Sequence, residues 1–347
     1  MELRLHRFDL PLRHTFTIAH DSRDVQQTLV VELRHGSLSG LGEATANPYY
    51  GITIDRMVAD LEALQPVLAD TALTTAEALW EALYPALANN PFAQCALDQA
   101  AHDLVAKRAQ KPLYAHWGLN LDTPRPLTNF TIGLDTPAMM LQKMQEVPWP
   151  LYKIKLGGGK DDLAILRLLR QHTDARFRVD ANGGWTATQT LDYVPELLDL
   201  GVEFLEQPLP GRGTAAADWA GMARLRANSA LPIMADESCI LETDVARCAD
   251  YFHGINIKLT KCGGLTPARR MIAEARQRGL RVMVGCMTES SVGISAIAHL
   301  LPLLDYVDMD GAMLIRDDPA TGVTCRFGEV FYAAGNGTGA SLKTTTP

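Results

Sequence analysis

The chain has 347 residues, 40 acidic and 32 basic, with a formal net charge of −8 and 47% apolar residues. At ~150 residues per domain this allows one large domain, or a large one with a smaller companion, either able to bury a real core. The acidic balance excludes an ordinary nucleic-acid binder, which carries a basic field, and no run approaches the ~18 apolar residues needed to span a bilayer.

The N-terminus, Met1-Glu2-Leu3-Arg4-Leu5-His6-Arg7, alternates apolar and charged residues and reads as a strand, not as a secretory signal. Glu2 to Phe8 and Thr28 to Arg34 are strand-like, and Gly40-Leu41-Gly42 reads as a turn. Helical periodicity follows from about Ile54 to Leu68, Thr75 to Leu87 and Pro91 to Gln110. Residues 1–125 are thus expected to form a small α+β unit. The six cysteines, Cys95, Cys239, Cys248, Cys262, Cys286 and Cys325, show no CxxC or metal-type spacing, which suits reduced thiols in a cytoplasmic protein.

From residue 127 the pattern is regular. Strand-like runs occur at Leu127–Gly133, Tyr152–Leu156, Phe177–Asp180, Val202–Glu206, Pro232–Asp236, Ile255–Leu259, Val282–Cys286 and Tyr306–Asp310. Helical stretches such as Asp161–Gln171, Thr188–Leu200, Pro267–Arg278 and Ser290–Leu300 separate them. Eight runs about 23 residues apart predict an α/β fold of the (β/α)8 barrel type over residues 126–320. Gly157-Gly158-Gly159 follows the second run and fits neither GxGxxG nor a P-loop, which argues against a nucleotide site. Residues 321–347 are expected to return to the N-terminal unit, with a frayed tail from Gly335 to Pro347.

Polar residues stand at the ends of these strands. Lys153 and Lys155 alternate and share one strand face. Asp180, Glu206 and Asp236 end the third, fourth and fifth runs, Lys258 lies in the sixth, and Asp308 and Asp310 alternate in the eighth. Any one of these could be a helix cap or a snorkelling lysine. Eight of them at six of eight strand ends converge on the C-terminal mouth, where barrels place their active sites. Three neighbouring carboxylates need a cation between them, and an all-oxygen set suits one hard ion, Mg²⁺ more than Zn²⁺. Lys155 and Lys258, on strands two and six, would flank a bound molecule, and like charge nearby should lower their proton affinity towards general-base range. The pattern fits a metal-stabilised enolate with a proton donor or acceptor on either face. Glu237 reads as a supporting or capping residue and Asp250 as surface charge; His172, His253 and His299 receive no role, and Trp185 and Trp219 read as core.

The set Lys153-Ile-Lys155, Asp180, Glu206, Asp236 and Lys258 resembles the enolase superfamily, in its muconate-lactonizing subgroup. Nearly the whole chain takes part, with Gly42-Glu43-Ala44 in what resembles the family's capping domain. Asp308-Met-Asp310 resembles the DxD signature of the dipeptide epimerases, among them Ala-Glu and D-Ala-D-Ala epimerases. The resemblance implies 1,1-proton transfer at the α-carbon of the C-terminal residue of a dipeptide, through an enediolate. Lys155 would serve the L epimer, Lys258 the opposite face, and Lys153 and Mg²⁺ the enediolate oxygens. Asp308 and Asp310 would hold the α-ammonium, with Thr131, Cys286 and Thr288 lining the dipeptide. Alternatives are an o-succinylbenzoate synthase, a muconate-type cycloisomerase, or a non-catalytic metal-binding barrel serving as a scaffold. A homo-oligomer is expected, with a small-molecule partner and neither nucleic acid nor membrane. In the family, two capping-domain loops select the side chain; here they correspond to residues 16–23 and 47–52. Asp21 aligns with the arginine that Ala-Glu epimerases often carry, and Arg23 lies two residues on; a carboxylate at that position would favour Ala-Ala or Ala-hydrophobic dipeptides.

Overall fold

The computed structural model describes residues 1–18, 21–157, 159, 162–211 and 217–344. Strands β1 (Glu2–Ile18), β2 (Asp21–His35) and β3 (Leu38–Thr45) form an antiparallel sheet. The helices Ile54–Glu62, Ala76–Leu87 and Pro91–Arg108 start at Thr53, Thr75 and Asn90, whose side chains accept the N–H of Arg56, Ala78 and Ala93. Side-chain caps satisfy first-turn donors that have no partner within the helix. The Ile54–Leu68 periodicity is split into Ile54–Glu62 and Gln65–Asp70.

Gly40-Leu41-Gly42 is not a turn but part of β3. A Cβ at Gly40 would come 2.0 Å from the Ala100 carbonyl, and one at Gly42 2.1 Å from that of Ala96. Alternate glycines thus let the strand lie directly on the helix Pro91–Arg108. That helix is buried from Phe92 to Ala106, because β3 covers one side and the barrel another.

The barrel runs β4 (Phe130–Ile132), β5 (Leu151–Lys155), β6 (Arg176–Asp180), β7 (Val202–Glu206), β8 (Ile233–Ala235), β9 (Gly254–Ile257), β10 (Arg281–Gly285) and β11 (Tyr306–Asp308), in chain order. All neighbours are parallel, and a bridge from Thr128 to Val307 brings the last strand back to the first. The fold is α/β, an eight-stranded barrel with an N-terminal capping unit. Asp161, expected to open a helix, and Gly158 lie outside the described residues; the helix there is Asp162–Arg170. No helix among the described residues is long and apolar enough to cross a membrane.

Two cap carboxylates meet the N-termini of successive barrel helices. Glu43 of β3 accepts the Ser290 N–H (2.9 Å), the Ser290 hydroxyl (2.5 Å) and the Gly293 N–H (3.0 Å) at the start of Ser291–Ala298. Asp98 accepts the N–H (2.8 Å) and hydroxyl (2.7 Å) of Thr266 at the start of Leu265–Gln277. The unsatisfied donors and the positive dipole end of a helix both favour an anion there.

The tail is a correction to the sequence reading. Ser341–Leu342 pairs with Ala320–Thr321, and Thr338 is buried, its N–H and hydroxyl donating to Asp103 at 2.7 and 3.1 Å. Residues 335–344 lack apolar periodicity because backbone and side-chain hydrogen bonds hold them in place. Residues 345–347 lie outside the described set.

Glu43→Ala should cost about 2–4 kcal/mol, since it strands buried donors and removes a helix cap. Urea denaturation measures this, and a loss under about 0.5 kcal/mol would mean that the cap docks without it.

Candidate active site

In the barrel ladder Lys155 pairs with Asp180 and Asp180 with Glu206, so the register sets these three side by side; Asp236 follows β8 directly. All four are buried. Oxygens of Asp180, Glu206 and Asp236 lie within 4.8 Å of one another. Lysines hold them. Lys153 Nζ is 2.7 Å from Glu206, 2.9 Å from Asp308 and 3.2 Å from Asp180. Lys155 Nζ donates to Asp180 at 2.6 Å, and Lys258 Nζ is 3.2 Å from Asp236. Lys155 and Lys258 come from β5 and from the residue after β9, four strands apart in a ring of eight.

Charge decides the titration of the groups. Burial and the neighbouring Asp180 push Glu206 up to about 7. Burial followed by Asp236 raises Glu237 to about 7, and burial followed by Asp308 does the same to Asp310. For Asp180, burial is outweighed by Lys155 and Lys153, which hold it below the usual carboxylate range; Lys258 and Lys261 do this for Asp236. Among the protein's own groups alone, the proton affinity of Lys258 is raised. Burial pulls it down, but the carboxylates, Asp236 foremost, outweigh that and hold it above the usual lysine value. Like-charge repulsion from a dication was the expected cause of lowering, and the carboxylates act in the other direction.

Among the described residues, six carboxylates (Asp180, Glu206, Asp236, Glu237, Asp308, Asp310) face four lysines (Lys153, Lys155, Lys258, Lys261) around this mouth. With all six ionised, the shortfall is two positive charges. An all-oxygen donor set short of two charges fits one hard divalent ion at Asp180, Glu206 and Asp236.

Asp308 and Asp310 differ in a way that the sequence did not suggest. Asp308 accepts from Lys153 and, at 2.8 Å, from Asn129, so a protein cation already serves it. Asp310 accepts the Thr131 N–H at 2.5 Å and faces the Cys286 thiol at 3.8 Å. Thr131, Cys286 and Thr288 all line the cavity with these groups.

The cap covers the mouth. Phe16, Ile18, Asp21 and Arg23 come from the β1–β2 hairpin, and Asn47, Tyr49 and Tyr50 from the loop after β3. Ala19 and His20, within the expected loop 16–23, lie outside the described residues. Both Asp21 and Arg23 line the cavity, and they pair at 3.0 Å, while Arg23 also donates to Gln26. Asp21 therefore does not face the cavity as a lone negative charge.

Several site residues were missed. Asn129, Arg178 and Asn256 stand two residues before Thr131, Asp180 and Lys258 on the same strand faces, so period-two alternation marks them. Arg178 donates to Asn129 (3.0 Å), which donates to Asp308, and Asn256 donates to Glu206 at 2.7 Å. Gln207, in the left-handed region (φ 37°), accepts the N–H groups of Asp236 (3.0 Å) and Ser238 (3.1 Å) and fixes that loop. Lys261 donates to the carbonyl and carboxylate of Asp236. Glu237 lines the cavity and accepts from Asn182 at 3.2 Å. Asp250 and His172 are exposed, His253 and His299 accept backbone N–H groups, and Trp185 is core whereas Trp219 is only half-buried.

Comparisons with known proteins agree with this arrangement. The mandelate racemase/muconate lactonizing enzyme N-terminal domain matches residues 2–118, and the enolase C-terminal domain-like unit matches residues 139–344. An L-Ala-D/L-amino acid epimerase of Flavobacterium johnsoniae is 54% identical over 343 residues, covering 99% of this chain and 100% of that protein. Another, from a Maribacter species, is 52% identical and covers 99% of each. The crystal structure of a dipeptide epimerase from Cytophaga hutchinsonii, complexed with Mg and the dipeptide D-Ala-L-Val, matches with a TM-score of 0.91 at 25% identity, over 99% of this chain and 96% of that one. With both family domains in order along one chain, the protein belongs to the enolase superfamily, in its mandelate racemase/muconate lactonizing enzyme family, and groups there with the dipeptide epimerases.

Proposed function

We propose that this protein is a Mg²⁺-dependent dipeptide epimerase that moves a proton at the α-carbon of the C-terminal residue. The observation carrying the reading is a pair of lysines, buried Lys155 and partly exposed Lys258, on opposite walls of the mouth with three carboxylates between them. Asp180, Glu206 and Asp236 would hold the ion, as the Mg-bound relative suggests. Bound there, Mg²⁺ supplies positive charge to the substrate carboxylate and takes up carboxylate charge that otherwise keeps the lysines protonated.

Neutral Lys155 removes the α-proton of the L epimer, and the electron pair spreads into the substrate carboxylate as an enediolate. Lys258, as an ammonium, returns a proton to the opposite face; the reverse reaction exchanges the two roles. Lys153, fixed by three carboxylates, presents fixed positive charge to the developing oxygen charge, the electrostatic term expected to dominate. Asp310 receives the substrate ammonium, with Asp308 behind it. Thr131, Cys286 and Thr288 line the peptide. Since Arg23 already serves Asp21, an uncharged C-terminal side chain suits this pocket better than glutamate, and the two relatives are named L-Ala-D/L-amino acid epimerases without glutamate in the name.

Removal of divalent ions with EDTA should abolish turnover, and Mg²⁺ should restore it and raise the melting temperature. At a hundredfold excess over Kd, binding contributes about 2.7 kcal/mol. In Glu206→Gln that thermal shift should largely disappear; a shift of unchanged size would place the ion elsewhere.

Lys155→Ala and Lys258→Ala should each lose epimerisation of L-Ala-L-X dipeptides, while α-proton exchange with D₂O survives on the face whose lysine remains. Mass spectrometry reads the exchange, and chromatographic separation of the two diastereomers reads the epimerisation. Epimerisation by Lys258→Ala at near wild-type rate would defeat the two-lysine assignment.

Asp310 is pushed up to about 7, so its charge is present above that pH and lost below it. We expect kcat/KM to fall as the pH drops through about 7, by about tenfold per unit on the limb. Asp310→Asn should be low throughout, keeping only the part of that limb that Glu206 and Glu237 contribute. An N-acetylated dipeptide should be turned over ~30-fold less well or worse, because losing a charged contact in a desolvated site costs ~2–5 kcal/mol.

A further inference from the structure

β1 does not follow β2 throughout. Pro11 pairs with Val25 and Phe16 with Arg23, which leaves Leu12 to Thr15 opposite the single residue Asp24. The bulged segment lies instead on the barrel. Leu12 bridges to Ile315, the Arg13 N–H donates to the Leu314 carbonyl at 2.9 Å, and the Leu134 N–H donates to the Thr17 carbonyl at 2.9 Å. Such a bulge re-aims the strand that carries it.

Beneath it lies a second cavity, of about 260 Å³, against about 90 Å³ for the site itself. Its apolar wall includes Phe130, Gly133, Val147 and Met313. The polar groups on its lining have partners: His14 lies 2.6 Å from Glu146, Lys143 lies 2.9 Å from Asp135, and the Arg13 guanidinium donates to the Met313 carbonyl at 3.0 Å. Phe16, Thr131 and Leu314 line both cavities among the described residues and form the partition between them. Thr131 is the residue whose N–H donates to Asp310, so the partition stands at the amino end of the site. Thr131 belongs to the β4 ladder, and the Leu314 backbone is tied to Arg13. The bulk of the partition is therefore the Phe16 ring, which packs towards Gly133, where an added Cβ would meet it at 3.4 Å.

We propose that Phe16 limits the size of the substrate's N-terminal residue, because its ring closes the amino end of the site off from a preformed chamber able to take a large apolar side chain. This rests on the dipeptide epimerase reading above. A side chain on the residue whose ammonium meets Asp310 would lie against the partition of Phe16, Thr131 and Leu314, of which the Phe16 ring is the part that a substitution can remove. Removing the ring joins the two spaces without disturbing the lysines or the carboxylates. Phe16 is on this account a specificity-determining residue, with no part in proton transfer.

The test compares L-Ala-L-Ala with L-Phe-L-Ala, which share a C-terminal residue, by deuterium incorporation in D₂O. Wild-type protein should strongly favour Ala-Ala. Phe16→Ala should raise the ratio of kcat/KM for Phe-Ala to that for Ala-Ala by about tenfold or more, as expected when an apolar pocket gains several carbons' worth of space. Phe16→Leu, a smaller change that keeps an apolar side chain packed against Gly133, should move the ratio in the same direction by less. Refilling the chamber from its far wall, with Val147→Phe added to Phe16→Ala, should take the gain away. An unchanged ratio in folded, active Phe16→Ala and Phe16→Leu overturns the proposal, as does a gain that survives refilling. Wild-type protein that exchanges no α-proton in any dipeptide overturns the proposed reaction itself and this inference with it, an outcome distinct from an active enzyme whose ratio does not move.

Discussion

One ammonium group, that of Lys153, lies within ion-pair distance of three buried carboxylates from three other strands. Taking charges out of water costs several kcal/mol per ion, and only close pairing repays it. Lys153 lets Asp180, Glu206 and Asp308 stand together before any ligand arrives. The arrangement is over-supplied with negative charge, and that is its use. A site balanced within itself would have no electrostatic reason to take up a dication and an ammonium. This one keeps three carboxyls near neutrality at about 7 in the absence of those ligands, poised to ionise when positive charge is supplied.

Beneath the mouth is a layer that works on the groups above it. Arg178 orients Asn129, Asn129 orients Asp308, and Asn256 orients Glu206. The Arg178 guanidinium lies 5.2 Å from the ring centres of both Phe204 and Tyr306. Barrel interiors are packed in layers, and here polar side chains occupy one that is usually apolar. Each amide spends both its oxygen and its nitrogen on fixed partners or presents one to a carboxylate. The ligand carboxylates are thereby held by more than the strands that bear them.

The barrel was legible because its strands are short apolar runs at even spacing, and each ends in a charge that an interior strand would otherwise exclude. Edges were less clear: Leu127–Gly133 narrows to Phe130–Ile132. β1 extends to Ile18, well past Phe8: Leu10 and Leu12 continue the alternation and are buried, but Pro11 and the irregular stretch before Phe16 interrupt the strand pattern in the sequence. Gly40 and Gly42 looked like a turn because a sequence does not display the helix lying against them. Asn129, Arg178 and Asn256 had a signal in their alternation with Thr131, Asp180 and Lys258. Lys261 and Gln207 had none: Gln207 follows β7 in a loop and Lys261 sits in the single-turn helix Leu259–Cys262, both too short for periodicity to tie a position to a face. The pairing of Asp21 with Arg23, and of Lys153 with Asp308, depends on distances that spacing does not encode.

Asp103 ties three distant parts of the chain together: it accepts the Leu41 N–H and both donors of Thr338, and pairs with Lys107. The strand at residues 341 and 342 closes the same region against residues 320 and 321. During synthesis the cap helices emerge some two hundred residues before Thr338, so Asp103 spends that interval with part of its hydrogen-bonding capacity met only by water. The cap residues that cover the charged mouth are therefore made early, whereas the tie at Asp103 between the cap helix and the C-terminal segment closes only once Thr338 has been added.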